Sequence, residues 1–126
     1  MHGWTLLALD VEADAPAAIG DEAVADLLSW LSELLGFAGT TRRVNHAFSP
    51  QGLSDVCWGE RGRIAIHTWP EWGRATVDIW APDADVVRRL DDIVPLLASR
   101  YGLRVVAVWR PEPPRLTGPD PGQGCT

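Results

Sequence analysis

Three short runs of this 126-residue chain carry side chains that can do chemistry: Ser54 in Leu53–Gly59, His67 in Arg63–Trp69, and Asp78 in Arg74–Ala81. An imidazole can pass a proton as acid or base, and a neighbouring hydroxyl and carboxylate can orient it. Arg61 and Arg63 stand just before the histidine run, and guanidinium forks suit the anchoring of a carboxylate. All 11 cationic side chains are arginine and none is lysine, so a Schiff base through a protein amine is excluded. Cys57 lies inside an apolar run and Cys125 in a Pro/Gly-rich stretch, settings too unlike to form a disulfide framework. A reducing cytoplasm fits that usage. No metal site is expected.

These runs read as strands, in which successive side chains point to opposite sides of a sheet. Ile64, Ile66, Val77 and Ile79 then share the face that meets the helices. The opposite parity collects Ser54, Val56 and Trp58, then Arg63, Ala65, His67 and Trp69, then Arg74, Thr76, Asp78 and Trp80. A face so rich in indole, guanidinium and polar groups calls for a ligand or a partner in a chain too small to cover it. Its tryptophans have two readings: packing of a half-buried sheet, or a box whose indole faces hold a sulfonium or guanidinium.

The elements that must position these groups follow from pattern. Trp4 to Val11 reads as a strand and Glu12 to Gly20 as a connection. Asp21 opens a helix with Val24, Leu27, Leu28, Leu31, Leu34 and Leu35 on one stripe and Gly36 as its left-handed cap. Thr40 to Phe48 and the three runs above form an antiparallel meander. Asp83 or Asp85 caps a second helix to about Tyr101, with Val86, Val87, Leu90, Ile93, Val94 and Leu97 on its apolar side, and Pro95 should kink it. Leu103 to Arg110 is the last strand. The expected fold is α+β, a two-layer sandwich with a mainly antiparallel sheet and both helices on one face. Residues 1–110 make the domain, and residues 111–126, with five prolines and three glycines, make a tail expected to be disordered.

Composition excludes several partners. A formal charge of −6, from 17 acidic side chains against those arginines, argues against nucleic acid and acidic membrane surfaces. No basic region followed by a long apolar run marks an export signal, and no stretch approaches the ~20 apolar residues that span a bilayer.

Two segments go beyond composition. His46-Ala47-Phe48-Ser49-Pro50-Gln51-Gly52-Leu53-Ser54 and Ile66-His67-Thr68-Trp69-Pro70-Glu71-Trp72-Gly73, followed by Val77-Asp78-Ile79-Trp80, resemble the signature segments of bacterial S-adenosylmethionine decarboxylase proenzymes. The resemblance covers roughly residues 3 to 110. It implies a two-layer α/β sandwich that dimerises and cuts its own chain at a Glu-Ser bond. The serine becomes an N-terminal pyruvoyl group, whose ketone takes the substrate amine and draws electrons as carbon dioxide leaves. Ser54 and His67 match the serine and histidine that assist this processing, and Phe48 and Glu71 match segments that border the nucleoside and its ribose. Trp69 stands among them, and Trp58, Trp72 and Trp80 replace smaller or less extended apolar positions of the family.

The same resemblance exposes two departures. The cleavage serine stands five residues before the histidine, which here is Gly62, so Arg61-Gly62 replaces Glu-Ser. Glycine has no hydroxyl to attack the preceding carbonyl, and no pyruvoyl cofactor is expected. The family's proton-donating cysteine stands fifteen residues after the histidine, which here is Pro82. Three readings follow. The chain is a non-processing homologue that binds a nucleoside, sulfonium or small-amine ligand or regulates polyamine or S-adenosylmethionine metabolism, as a homodimer or as a heterodimer with an active paralogue. Or it is a repurposed enzyme with His67 as acid or base, Ser54 and Asp78 as orienters, and Arg61 or Arg63 as anchors on a small amine, amino acid or sulfonium. Or it is a structural domain in which Ser54 and His67 merely satisfy each other.

Overall fold

The computed structural model describes residues 4–37 and 42–110. Strand β1 (Trp4–Ala13) leads through a short 3-10 helix at Pro16–Ile19 into helix α1 (Asp21–Leu34). Strands β2 (Arg42–Ala47), β3 (Leu53–Gly59), β4 (Gly62–Trp69) and β5 (Arg74–Pro82) follow, then helix α2 (Asp83–Tyr101) and strand β6 (Leu103–Trp109). The six strands form one sheet in the order β2-β3-β4-β5-β1-β6, and every pair is antiparallel. This is the expected α+β two-layer architecture.

The apolar stripe of α1 is why the helix docks: Val24, Leu27, Leu28 and Leu31 are buried, and Leu34 and Leu35 pack at the margin. They meet Ile64, Ile66, Val77 and Ile79 of the sheet, all fully buried, together with Leu7, Leu9 and Val11 of β1. Helix α2 contributes Ile93 and Leu97 to the same core, while Val94 is half-buried. The side chains of Val86, Val87 and Leu90 lie outside the described residues, as do Thr40 and the tail 111–126.

The end of α1 is a Schellman motif. Gly36 takes φ +78° and its amide donates to the Glu33 carbonyl at 3.1 Å, while the Phe37 amide donates to the Ser32 carbonyl at 2.7 Å. The turn drops Phe37 into the core, where it is 2% exposed. Three boundaries differ from those read in the sequence. Strand β1 runs on to Ala13 because Glu12 and Ala13 find partners in Arg74, Arg104 and Leu103. Helix α2 continues through Pro95. Pro82 ends β5 opposite Trp4, a strand end, where the missing amide is tolerated.

Beneath β2 the helix-side face carries one ion pair. Asp55 is 0% exposed and accepts two hydrogen bonds from the Arg43 guanidinium of the neighbouring strand, Nε to Oδ1 at 2.7 Å and the second through NH2 to Oδ2. Arg43→Met strands that buried carboxylate without a partner and lowers stability by about 2–3 kcal/mol in denaturant unfolding. A loss near zero would show that water replaces the guanidinium.

Candidate functional site

Register turns the uncovered face of the sheet into rows of side chains. One row crosses it as His46, Ser54, His67, Thr76 and Asp10, contributed in turn by β2, β3, β4, β5 and β1. The next runs Val44, Val56, Ala65, Asp78 and Ala8, and a third runs Arg42, Trp58, Arg63, Trp80 and Leu6. The polar parity read in the sequence is therefore the open face.

In the first row Ser54 Oγ and His67 Nδ1 share a hydrogen bond of 2.7 Å. That bond fixes the ring and leaves Nε2 without a partner among the described residues, turned to the service of a ligand proton. Both side chains line a hollow of about 320 Å³ together with Phe48, Trp69 and Glu71, so the structure brings five expected site residues together. Gln51, Gly52 and Thr68 also line it, and sequence reasoning did not single them out. Thr68 is buried and its Oγ1 accepts the Leu53 amide at 3.0 Å, which pins the start of β3 beside Ser54. His46 was likewise missed. It faces Ser54 across the strands and meets Phe48 edge to face at 4.5 Å, and the period-two pattern of the His46 segment was the signal that could have placed it there.

A second hollow of about 310 Å³ adjoins the first through His67 and is lined by Arg63, Asp78 and Trp80 among others. Asp78 is half-buried, and burial pushes its carboxyl above the ordinary carboxylate range, with attraction to His67 and Arg63 opposing the shift and Asp10 adding to it. A third hollow of about 510 Å³ lies between Trp58 and Trp80, with Arg63 and Gly62 at its floor. Trp72, by contrast, projects into solvent from the turn after β4 and lines none of these three.

Arg61 is not brought into the site. The two-residue turn Glu60–Arg61 sends its guanidinium toward Gly36, where Nε lies 3.9 Å from the position a Cβ would take, at the carbonyl end of α1 that attracts a cation. Neither turn residue has a positive φ, so Gly62, at φ +144°, absorbs the twist of the hairpin. There the chain packs against β5 with no space to spare. A Cβ on Gly62 would stand 2.2 Å from the Trp80 carbonyl oxygen and 2.6 Å from the Phe37 ring. Cys57 is buried on the helix side of β3, opposite in parity to Ser54, and burial pushes its thiol up. Among the described residues no group of three His, Cys, Asp or Glu side chains is placed to hold a metal, and no described helix is long and apolar enough to cross a membrane.

The family model for S-adenosylmethionine decarboxylase matches residues 7–107. The chain belongs to the S-adenosylmethionine decarboxylase family. An S-adenosylmethionine decarboxylase proenzyme from Parasynechococcus marenigrum is 37% identical over 67 residues, 52% of this chain and 51% of that protein. One from Pelotomaculum thermopropionicum is 54% identical over 37 residues, 29% of each chain. The matched stretches thus span about half or less of these relatives. The crystal structure of adenosylmethionine decarboxylase from Aquifex aeolicus VF5 superposes with a TM-score of 0.68 over 91% of this chain and 93% of that one, at 23% identity, which establishes the shared fold.

The residues here do not fit the pyruvoyl group that the family resemblance implies. That group carries a methyl carbon where the serine Cβ stood, and at Gly62 of the intact chain such a carbon overlaps the Trp80 carbonyl. No step through a pyruvoyl is derived.

The raised Asp78 carboxyl fixes a pH dependence. Because the folded chain holds that proton more tightly than the unfolded one, the associated stability is fully present below the unfolded value near ~4 and is lost as pH rises through the higher folded value. Asp78→Asn therefore melts above the wild type at pH 7, and the two melts converge under acid. Equal melting temperatures at neutral pH would mean that solvent and His67 fully compensate the burial.

Proposed function

We propose that this chain is a non-processing member of the S-adenosylmethionine decarboxylase family that binds a nucleoside-bearing ligand of S-adenosylmethionine or polyamine metabolism without forming a pyruvoyl group. The observation that carries this reading is Gly62. Its position lacks a hydroxyl, and its neighbours lie too close for any side chain. The other departure supports it, since Pro82 has no proton to donate. The hollow lined by Phe48, Glu71, Trp69, Ser54 and His67 supports retention of a ligand, with the nucleoside lying between Phe48 and Glu71. In this reading the protein works by binding, as a sensor or regulatory subunit.

The open face is its partner surface, taken by a second copy of the chain. Val44, Trp58, Trp69, Trp80 and Trp109 stand exposed on it, with Trp109 58% exposed, and a facing sheet would remove them from water. Co-expression with a processed paralogue distinguishes a heterodimer from this homodimer. The Ser54–His67 bond favours a second reading, in which His67 Nε2 moves a proton on the bound ligand. Turnover of S-adenosylmethionine that vanishes in His67→Ala would carry it.

Intact-mass spectrometry is the test. A single species at 13.8 kDa is expected, and sedimentation should give twice that mass. Gly62→Ser should also remain one species and should lose about 3 kcal/mol or more of stability, since the new side chain meets both a hard overlap and an unfavourable φ. Two fragments divided at Arg61 and Gly62, with a carbonyl-reactive new terminus, would return the chain to the decarboxylases.

A further inference from the structure

Two charges of opposite sign share the second hollow without touching. Arg63 on β4 and Asp78 on β5 are diagonal neighbours on the open face, because Arg63 faces Trp80 and Ala65 faces Asp78. Diagonal positions stand about 7–8 Å apart, close enough for one small group to lie between their side chains. No ion pair joins them, and neither makes a hydrogen bond to a described residue. Asp78 is nevertheless half-buried, so its charge is partly stripped of water with nothing in the chain to replace it. Arg63 is flanked across the strands by Trp58 and Trp80, whose indoles border the hollow on either side and lower its dielectric.

We propose that Arg63 and Asp78 form a head-group site for an intact α-amino acid, the guanidinium taking the α-carboxylate and the Asp78 carboxylate taking the α-ammonium. This deepens the ligand-binding reading above and rests on it. The two hollows meet at His67, which lines both. A ligand with its nucleoside between Phe48 and Glu71 passes its sulfonium or thioether by the His67 and Trp69 rings and ends at Arg63. Arg63 stands four residues before His67, ~13 Å of strand, a distance that an extended amino-acid chain and an arginine side chain cover between them. The ligand class is thus an adenosyl amino acid that keeps its carboxylate. The function implied is recognition of the substrate of decarboxylation in preference to its product.

Calorimetric titration of the full chain with S-adenosylmethionine, its decarboxylated form and 5′-methylthioadenosine tests this. S-adenosylmethionine is expected to bind about tenfold or more tightly than the decarboxylated compound, the effect of one charge-assisted contact. Arg63→Gln should erase that advantage while leaving 5′-methylthioadenosine, which lacks the head group, bound as before. Asp78→Asn should weaken both amine-bearing ligands and spare 5′-methylthioadenosine. Thermal melts of both variants establish that they are folded. Equal wild-type affinity for the two amine-bearing ligands, or an Arg63→Gln variant that weakens all three alike, overturns the head-group site and leaves the nucleoside hollow standing. If none of the three binds, 5′-methylthioadenosine included, the ligand-binding reading falls and the head-group site with it.

Discussion

Two helices can cover one face of a six-stranded sheet and no more, and that limit shapes the rest of the molecule. On the covered side Leu7, Leu9, Ile64, Ile66, Val77 and Ile79 lock against α1 and α2 and leave no room for polar groups beyond the paired Asp55 and the bonded Thr68. Everything the strands carry at opposite parity is consequently delivered to water. A sheet of this kind is also a rigid template, because each strand holds its neighbours in register through continuous ladders. Ser54 and His67 can therefore meet at 2.7 Å although thirteen residues separate them.

The same ladders explain what could be read from the sequence. Alternation placed His67, Ser54, Asp78, Arg63 and the tryptophans on one side because a period of two leaves no choice of face once Ile64 and Ile79 are buried. Helix boundaries were legible for the same local reason, as in Gly36 ending α1. Strand order was not, since nothing local says that β1 inserts between β5 and β6. Arg61 was misplaced because a turn residue obeys no alternation, and its direction depends on the α1 terminus packed beneath it. Thr68 escaped notice because its role is to accept the Leu53 amide from across the sheet, a contact that sequence spacing does not encode.

Division of the open face into adjoining hollows has a chemical consequence. The row of His46, Ser54 and His67 offers hydrogen-bonding groups beside aromatic rings, suited to a sugar and a base. The rows beyond it offer separated charges and indole walls, suited to a zwitterion. Electron withdrawal of the kind a ketone supplies has no source in either. The groups present can hold, orient and exchange a proton with a ligand, and such a set selects among related molecules more readily than it breaks a carbon–carbon bond.

Gly62 makes this division of labour hard to reverse. If the chain had lost only a hydroxyl, a serine at that position would need only its own two atoms of space. Instead the β5 carbonyl of Trp80 and the Phe37 ring occupy the volume where any Cβ would go, and Phe37 is itself held there by the Schellman turn that ends α1. Restoring a side chain therefore means moving β5, the turn after α1 and part of the core together. Close packing makes such a shift costly because the surrounding side chains have no voids to retreat into. The uncut hairpin has become part of what holds the two layers together, so continuity of the chain at Arg61–Gly62 is a condition of the fold as well as a consequence of the missing nucleophile.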